Sequence, residues 1–329
     1  MSPIVIILIA LAFIFSFLNG MHDSRNVVST LISSRAYSPH TALGVTALAE
    51  FSGPFLFGAA VAQTIGRGIV ETAAVDERVL TAALAGAILW SLVTWLVRLP
   101  SSSSHALVGG LLGAASMRAG AQAVRADGLL RILNFLFVSP IVGFVLAFIL
   151  FRFIMALSRN ATPRINWFFK RAQIVTALAL GLSHGSNDGQ KSMGIVTLAL
   201  VTGGYLSTFV VPTWVVAVCA FALALGTIVG GWRLTHSVGG IFIYKIRPVD
   251  GFASQVMSAM VILTASLFGG PVSATQVINS TIMGIGAAER ANKVRWGLVQ
   301  EIIIAWILTI PATTFISAAL YLLLVRFLP

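Results

Sequence analysis

The sequence predicts an all-α fold: a polytopic membrane helical bundle with two inverted repeats, broken helices and re-entrant Ser-rich turns. Three observations predict it. The 329 residues are 57% hydrophobic and only 9% charged, where a soluble domain carries roughly 25% charged residues. The apolar runs are long and rich in Leu, Ala, Val and Gly, without the alternation of an outer-membrane barrel strand. Landmarks of the first half also return in the second, in the same order.

A membrane-spanning helix needs about 20 apolar residues. The pattern predicts spans at 4–35, 41–66, 79–99, 129–157, 172–203, 209–230, 251–269 and 297–327. The first reads as a span rather than a signal peptide, because it lacks a basic start and a small-residue cleavage site. It is expected to break near 19–26, at Asn19-Gly20-Met21-His22-Asp23-Ser24-Arg25-Asn26. The fifth is expected to break near 183–191, at Ser183-His184-Gly185-Ser186-Asn187-Asp188-Gly189-Gln190-Lys191. Glycine and ionisable residues at such depth point to freed backbone groups that face protein, water or a ligand. Glu50 is a further acid inside the second span, ahead of Gly53-Pro54. Segments 101–117 and 271–287 are shorter and Gly-rich, and each begins with a polar turn. Each re-enters from one side or crosses as part of a bent pair. The weaker apolar stretch 232–247 has no assigned place.

Asp188 follows Asp23 by 165 residues, while Pro271 follows Pro100, and Gly284 follows Gly113, by 171. The offsets divide the chain into a first transmembrane repeat, 1–157, a basic linker, 158–171, and a second transmembrane repeat, 172–329. The linker holds Arg159, Arg164, Lys170 and Arg171 and no acid, so the positive-inside rule places it in the cytoplasm. The loop Glu71–Arg78, with Glu71, Asp76 and Glu77, belongs to the outer face. Duplicated halves of this kind are typical of secondary transporters, whose sites lie between the repeats near mid-membrane.

Composition also excludes. The net charge is +11, but the basic residues are scattered among the spans and form no aromatic-basic platform, so no nucleic-acid partner is expected. They anchor helix ends to anionic lipid headgroups. Cys219 is the single cysteine, which excludes an internal disulfide and a thiolate metal cage.

The turn Pro100-Ser101-Ser102-Ser103-Ser104-His105 reads as a helix start, with serine at the cap and proline suited to the first turn. Pro271-Val272-Ser273-Ala274-Thr275-Gln276 repeats the design with fewer hydroxyls. A helix start inside a membrane offers free N–H groups, a positive dipole end and hydroxyl donors. That combination suits a tetrahedral oxyanion such as phosphate or sulfate. The plainer alternative is ordinary capping, with small residues for close helix packing.

Asp23 with Asn26, and Asp188 with Asn187, provide carboxylate, amide and carbonyl oxygens. Those are ligands for sodium, and a carboxylate could carry a proton instead. Read structurally, Asp23 would pair with Arg25 and Asp188 with Lys191; either base could also neutralise an anion. Glu50 is an ion or proton relay, or the partner of an arginine. His22 and His184 sit beside motif acids or amides and could respond to pH, or be ordinary buried histidines. Gln255 lines a path or makes an interhelical bond. Glu301 anchors the last helix at the interface.

These motifs resemble those of the inorganic phosphate transporter (PiT) family. That family carries a Gly-Ala-Asn-Asp-x-Ala-Asn-type motif and a later Pro-x-Ser-Thr-Thr-His-type motif in each half. Gly20–Asn26 and Gly185–Lys191 match the first, Pro100–His105 and Pro271–Gln276 the second. The forms Asn-Gly-x-His-Asp and Ser-His-Gly-x-Asn-Asp-Gly-Gln-Lys are most similar to the bacterial low-affinity branch. The resemblance implies a symporter that carries inorganic phosphate, as a neutral metal-phosphate complex in some members, driven by H+ or Na+. It implies phosphate contacts from Ser102, Ser103, Ser104, Ser273, Thr275, Asn26, Asn187 and Lys191. Coupling-ion or proton roles fall to Asp23, Asp188 and Glu50. Which residues hold a metal is left unknown, and no tightly bound cofactor is implied. A homodimer in the inner membrane of a bacterium or archaeon is expected, with no enzymatic activity.

The chain departs from the family pattern at Arg25, Ala274, Gln276 and Gln255. Fewer carboxylates weaken the case for sodium and open a shift toward sulfate. A passive anion channel is the rival of another class, and the acids argue against it. A membrane-embedded phosphotransfer enzyme would need a nucleophile with a positioned base. The neighbours Ser104 and His105 diverge on a helix and supply none.

Overall fold

The computed structural model describes residues 2–97, 99, 101–232 and 246–327, without the side chains of Leu298, Glu301 and Ile302. Pro100, most of the stretch 232–247 and the anchoring role of Glu301 lie outside the described residues. Among the described residues eleven α-helices run in order: α1 (Pro3–Ser33), α2 (Pro39–Phe57), α3 (Ala60–Gly68), α4 (Glu77–Leu96), α5 (Ser103–Ala119), α6 (Ala126–Leu157), α7 (Ile165–Thr202), α8 (Thr213–Trp232), α9 (Pro248–Leu267), α10 (Ala274–Glu289) and α11 (Trp296–Phe327). Six of them, α1, α4, α6, α8, α9 and α11, are long and apolar enough to cross a membrane. The pair α2–α3 is long and apolar enough only when taken together, as a broken span or a re-entrant loop.

The expected breaks near 19–26 and 183–191 are not there. Both segments are continuous helix. Glycine here permits contact instead of freeing backbone. A Cβ on Gly20 would lie 2.0 Å from the Leu223 carbonyl oxygen of α8, and one on Gly185 2.0 Å from the Glu50 carbonyl oxygen of α2. Two helices approach closely at each point, as small residues allow in membranes. The polar residues His184, Asp188 and Lys191 follow helical spacing, so one face of α7 carries them without unwinding.

The break falls one element over. α2 and α3 meet at 76°, after the internal Pro54 and at Gly58, whose φ is +78°. The freed amides of Val61 and Ala62 donate to Gln190 Oε1 at 2.8 and 3.2 Å. A motif glutamine on α7 therefore caps the interrupted span, as a break in lipid requires.

The basic linker is also shorter than its sequence suggests, because α7 begins at Ile165. Residues 165–171 are its first two turns, with the Arg171 guanidinium 3.8 Å from the Trp167 ring centre. At 38 residues, α7 is about 57 Å long, well beyond the ~30 Å of hydrocarbon.

Among the described residues the two halves exchange partners. α1 packs on α8 and α7 on α2; α5 packs on α11 and α10 on α6. α1 begins beside the end of α7, where the Ser2 amide donates to Tyr205 Oη at 2.5 Å. It ends beside the start of α7, where Tyr37 Oη donates to the Arg171 carbonyl at 3.3 Å. The two helices are therefore antiparallel. At the first end, the start of α4 meets the end of α5 through Arg118–Asp76 at 3.3 Å. At the second, the start of α9 meets the end of α10 and the turn after it through Asp250, Arg247, Glu289 and Lys293.

Candidate anion and cation site

The site forms where α1, α2, α7 and α8 meet the starts of α5 and α10. Ser102 caps α5, accepting from the His105 amide, and Ser273 caps α10, accepting from the Gln276 amide. The two caps meet: Ser104 Oγ donates to the Val272 carbonyl at 2.8 Å. Ser102 also bonds His105 Nδ1 at 2.8 Å. Ser103 is half-buried, and its hydroxyl bonds no other described residue.

Asn187 shapes the second turn. Its amide donates to Ser266 Oγ at 2.8 Å and the Gly270 carbonyl at 3.1 Å, and its oxygen accepts from the Val272 amide at 3.1 Å. Those bonds engage its donors and its oxygen. Its place is behind the turn, which differs from the direct phosphate contact expected of it.

Below the turns sits a buried charge cluster. Asp23, Glu50, His184, Asp188 and Lys191 are each no more than 6% exposed. His184 Nδ1 lies 2.7 Å from Glu50 Oε1. Its Nε2 lies 3.5 Å from both Asp23 Oδ2 and Asp188 Oδ2. Thr227 Oγ1 donates to Glu50 Oε2 at 2.5 Å. Asn19 donates to Asp188 Oδ2 at 3.0 Å, and Lys191 Nζ to Asp188 Oδ1 at 2.6 Å. Thr275 donates to Asp23 Oδ1, and Asn26 donates to Thr275 Oγ1 at 3.3 Å.

The structure thus brings Asp23, Asp188, Glu50, Asn26, Thr275, Lys191 and Ser104 into one region. Asp188 does pair with Lys191. Arg25 is exposed, and Asp23 turns instead to Thr275 and His184. Glu50 meets a histidine, not an arginine. Gln255 makes an interhelical bond, accepting from Thr176 at 2.5 Å and donating to Thr30 at 2.9 Å. One imidazole nitrogen and two carboxylate oxygens, from His184, Asp23 and Asp188, lie within 4.8 Å of one another. Such a set can take a proton or a small cation.

Sequence reasoning left His184 outside the site proper, although its four-residue spacing to Asp188 put both on one helix face. It also missed Asn19 and Thr227. Thr227 is a lone hydroxyl in an apolar run, and no pattern distinguishes it from a residue satisfied by its own helix.

The Phosphate transporter family matches residues 19–317, a range that takes in all four motifs. The chain belongs to that family. A probable low-affinity inorganic phosphate transporter of Rhizobium meliloti (strain 1021) is 43% identical over 97% of this chain and 96% of its own length. One from Bacillus subtilis (strain 168) is 41% identical over 98% and 96%. A solved structure described as the sodium-dependent phosphate transporter superimposes with a TM-score of 0.92 at 25% identity, covering 99% of this chain and all of that one. The protein is a multi-pass integral membrane protein of a transporter family, not an enzyme.

Proposed function

We propose that the protein is a symporter that carries inorganic phosphate across the membrane with a driving cation, H+ ahead of Na+. One observation carries the coupling. Three buried carboxylates face one ammonium and one imidazole. With the three acids ionised and His184 neutral, the cluster keeps a surplus negative charge before any anion arrives. A phosphate added there would meet repulsion and a large desolvation cost. Binding therefore needs positive charge to arrive with it.

Phosphate sits against the two touching helix starts, where Ser103 and the amides of both first turns donate to it. Asn26, Thr275 and Ser104 flank it, with Ser102 and Ser273 setting the turns. The proton enters at His184, which touches Glu50 on one nitrogen and both aspartates on the other. The same donors accept Na+ or a divalent metal carried with phosphate, which keeps both in the test. The halves act as inverted repeats, consistent with antiparallel α1 and α7 and their exchanged partners. The end of the bundle that bears Lys170 and Arg171 faces the cytoplasm. A homodimer in the bilayer completes the reading.

Purified protein in proteoliposomes tests it, with labelled phosphate and a proton gradient, a sodium gradient or divalent metal, each alone. Uptake above the external level under a proton gradient, abolished by a protonophore, is expected. Flux that only equalises phosphate under every gradient would make the protein a passive channel. Preference for labelled sulfate over phosphate would reassign the cargo.

A further inference from the structure

Lys191 is 0% exposed, which is rare for lysine and tolerable only with partners. Its ammonium donates to Asp188 Oδ1 at 2.6 Å and to the Val272 carbonyl at 3.0 Å. A carboxylate oxygen and a backbone carbonyl are what a bare hard cation takes as ligands. Ser104 Oγ adds a hydroxyl to the same carbonyl at 2.8 Å.

A matching cradle surrounds Asp23. Asn26 follows Asp23 by three residues, as Lys191 follows Asp188. Thr275 follows Pro271 by four, as Ser104 follows Pro100. In the first cradle Thr275 donates to Asp23, and the Asn26 amide donates to Thr275. No ammonium lies there among the described residues. A carboxylate and a hydroxyl at matching sequence positions therefore occur twice: Thr275 bonds Asp23 directly beside a neutral amide, whereas Asp188 and Ser104 are joined through the Lys191 ammonium and the Val272 carbonyl.

We propose that Lys191 is a tethered counter-cation. It fills the second cradle where a free sodium ion would otherwise bind, so this chain carries its anion with one fewer mobile cation and without sodium at that position. It sets the cation requirement of the phosphate symport proposed above and rests on that reading for its consequence in transport. The occupancy of the cradle is a separate matter and can be measured without phosphate.

Binding of radioactive sodium to the purified full chain in detergent tests it. Lys191→Asn gives the second cradle the amide that Asn26 gives the first. It is expected to bind one more sodium per chain than the unaltered protein, while Lys191→Arg binds no more. Reconstituted Lys191→Asn should then take up phosphate only with sodium present, and the unaltered protein equally well in choline. A folded Lys191→Asn that binds no additional sodium overturns the proposal. Lys191→Ser is the second variant, under the same count. Should both unfold in choline, added sodium must restore their thermal stability; if it does not, while Lys191→Arg folds, the ammonium is not a sodium surrogate. Unaltered protein that takes up no phosphate would sink the transport reading instead, and leave the sodium count to decide the lysine.

Discussion

The two cradles of the site carry matching parts at matching spacing and end with different charge. Around Asp23 the supporting groups are neutral, a threonine hydroxyl and an asparagine amide. Around Asp188 they include the Lys191 ammonium and the Asn19 amide. His184 stands between, equidistant from both aspartates at 3.5 Å. The difference divides the labour. The Asp188 side is paired with an ammonium, whereas in the proposed symport the Asp23 side awaits a proton or cation that comes and goes. A duplicated architecture can in this way give one copy a fixed charge and leave the other to the driving ion.

That contrast breaks most visibly through Asp188. Asp188→Asn strands a buried ammonium, and breaking a buried pair costs about 3–5 kcal/mol. Thermal melts in detergent should show a marked loss of stability together with loss of uptake. Asp23→Asn should lose uptake with little change in melting, since no ammonium depends on it. The double variant Asp188→Asn/Lys191→Met should recover most of the lost stability and none of the transport. Equal destabilisation by Asp23→Asn and Asp188→Asn would erase the distinction between the cradles.

The hydroxyls sharpen the comparison more gently. Thr275→Val removes the one hydroxyl that serves Asp23, so the half-saturating phosphate concentration should rise roughly tenfold, about 1.4 kcal/mol. Ser104→Ala leaves the Val272 carbonyl still held by Lys191, and the rise should be no more than about threefold, at the low end of the ~0.5–1.5 kcal/mol of one hydrogen bond. Initial-rate uptake decides it, and a larger effect at Ser104 would reverse the assignment.

The smallest effect belongs to the ends of the bundle. Burial works against the Glu289 carboxylate, but the hydrogen bond from Lys293 and the charge of Arg247 hold its pKa below the usual carboxylate range. The ion pair is partly exposed, so its contribution is within ~1 kcal/mol. A depressed folded pKa means stability present above the unfolded value and lost as pH falls through the folded one. Acid should therefore lower the melting temperature slightly, and Glu289→Gln should flatten that dependence. The Arg118–Asp76 contact at the opposite end is the control. No difference between Glu289→Gln and the unaltered protein across the acid range would remove the pair from the account.

Much of this was legible in the chain. Asp23, Asp188, Glu50 and both serine caps stood out because ionisable groups and polar turns are rare among apolar runs. The matched spacing of the motifs was readable from the sequence alone. The breaks were misplaced because glycine beside polar residues has two physical meanings, a freed backbone or a close helix contact. Only the partner helix decides between them: Gly20 and Gly185 each meet a carbonyl, while Pro54 and Gly58 end α2. The central position of His184 was hidden for a related reason. Its bond to Glu50 joins residues 134 apart in sequence, and no local pattern announces such a contact. Asn187 misled in the other direction, since an amide beside an acid looks like a ligand until its bonds to the turn are seen.

The account turns on positive charge entering with phosphate at the Asp23 cradle. The direct measurement is proton movement in sealed proteoliposomes loaded with a pH-sensitive dye, on addition of phosphate and without sodium. The unaltered protein should acidify the lumen beyond what the phosphate itself releases, and correctly folded Asp23→Asn should not. Phosphate entry with no accompanying proton or cation, or undiminished proton entry in Asp23→Asn, would contradict the account.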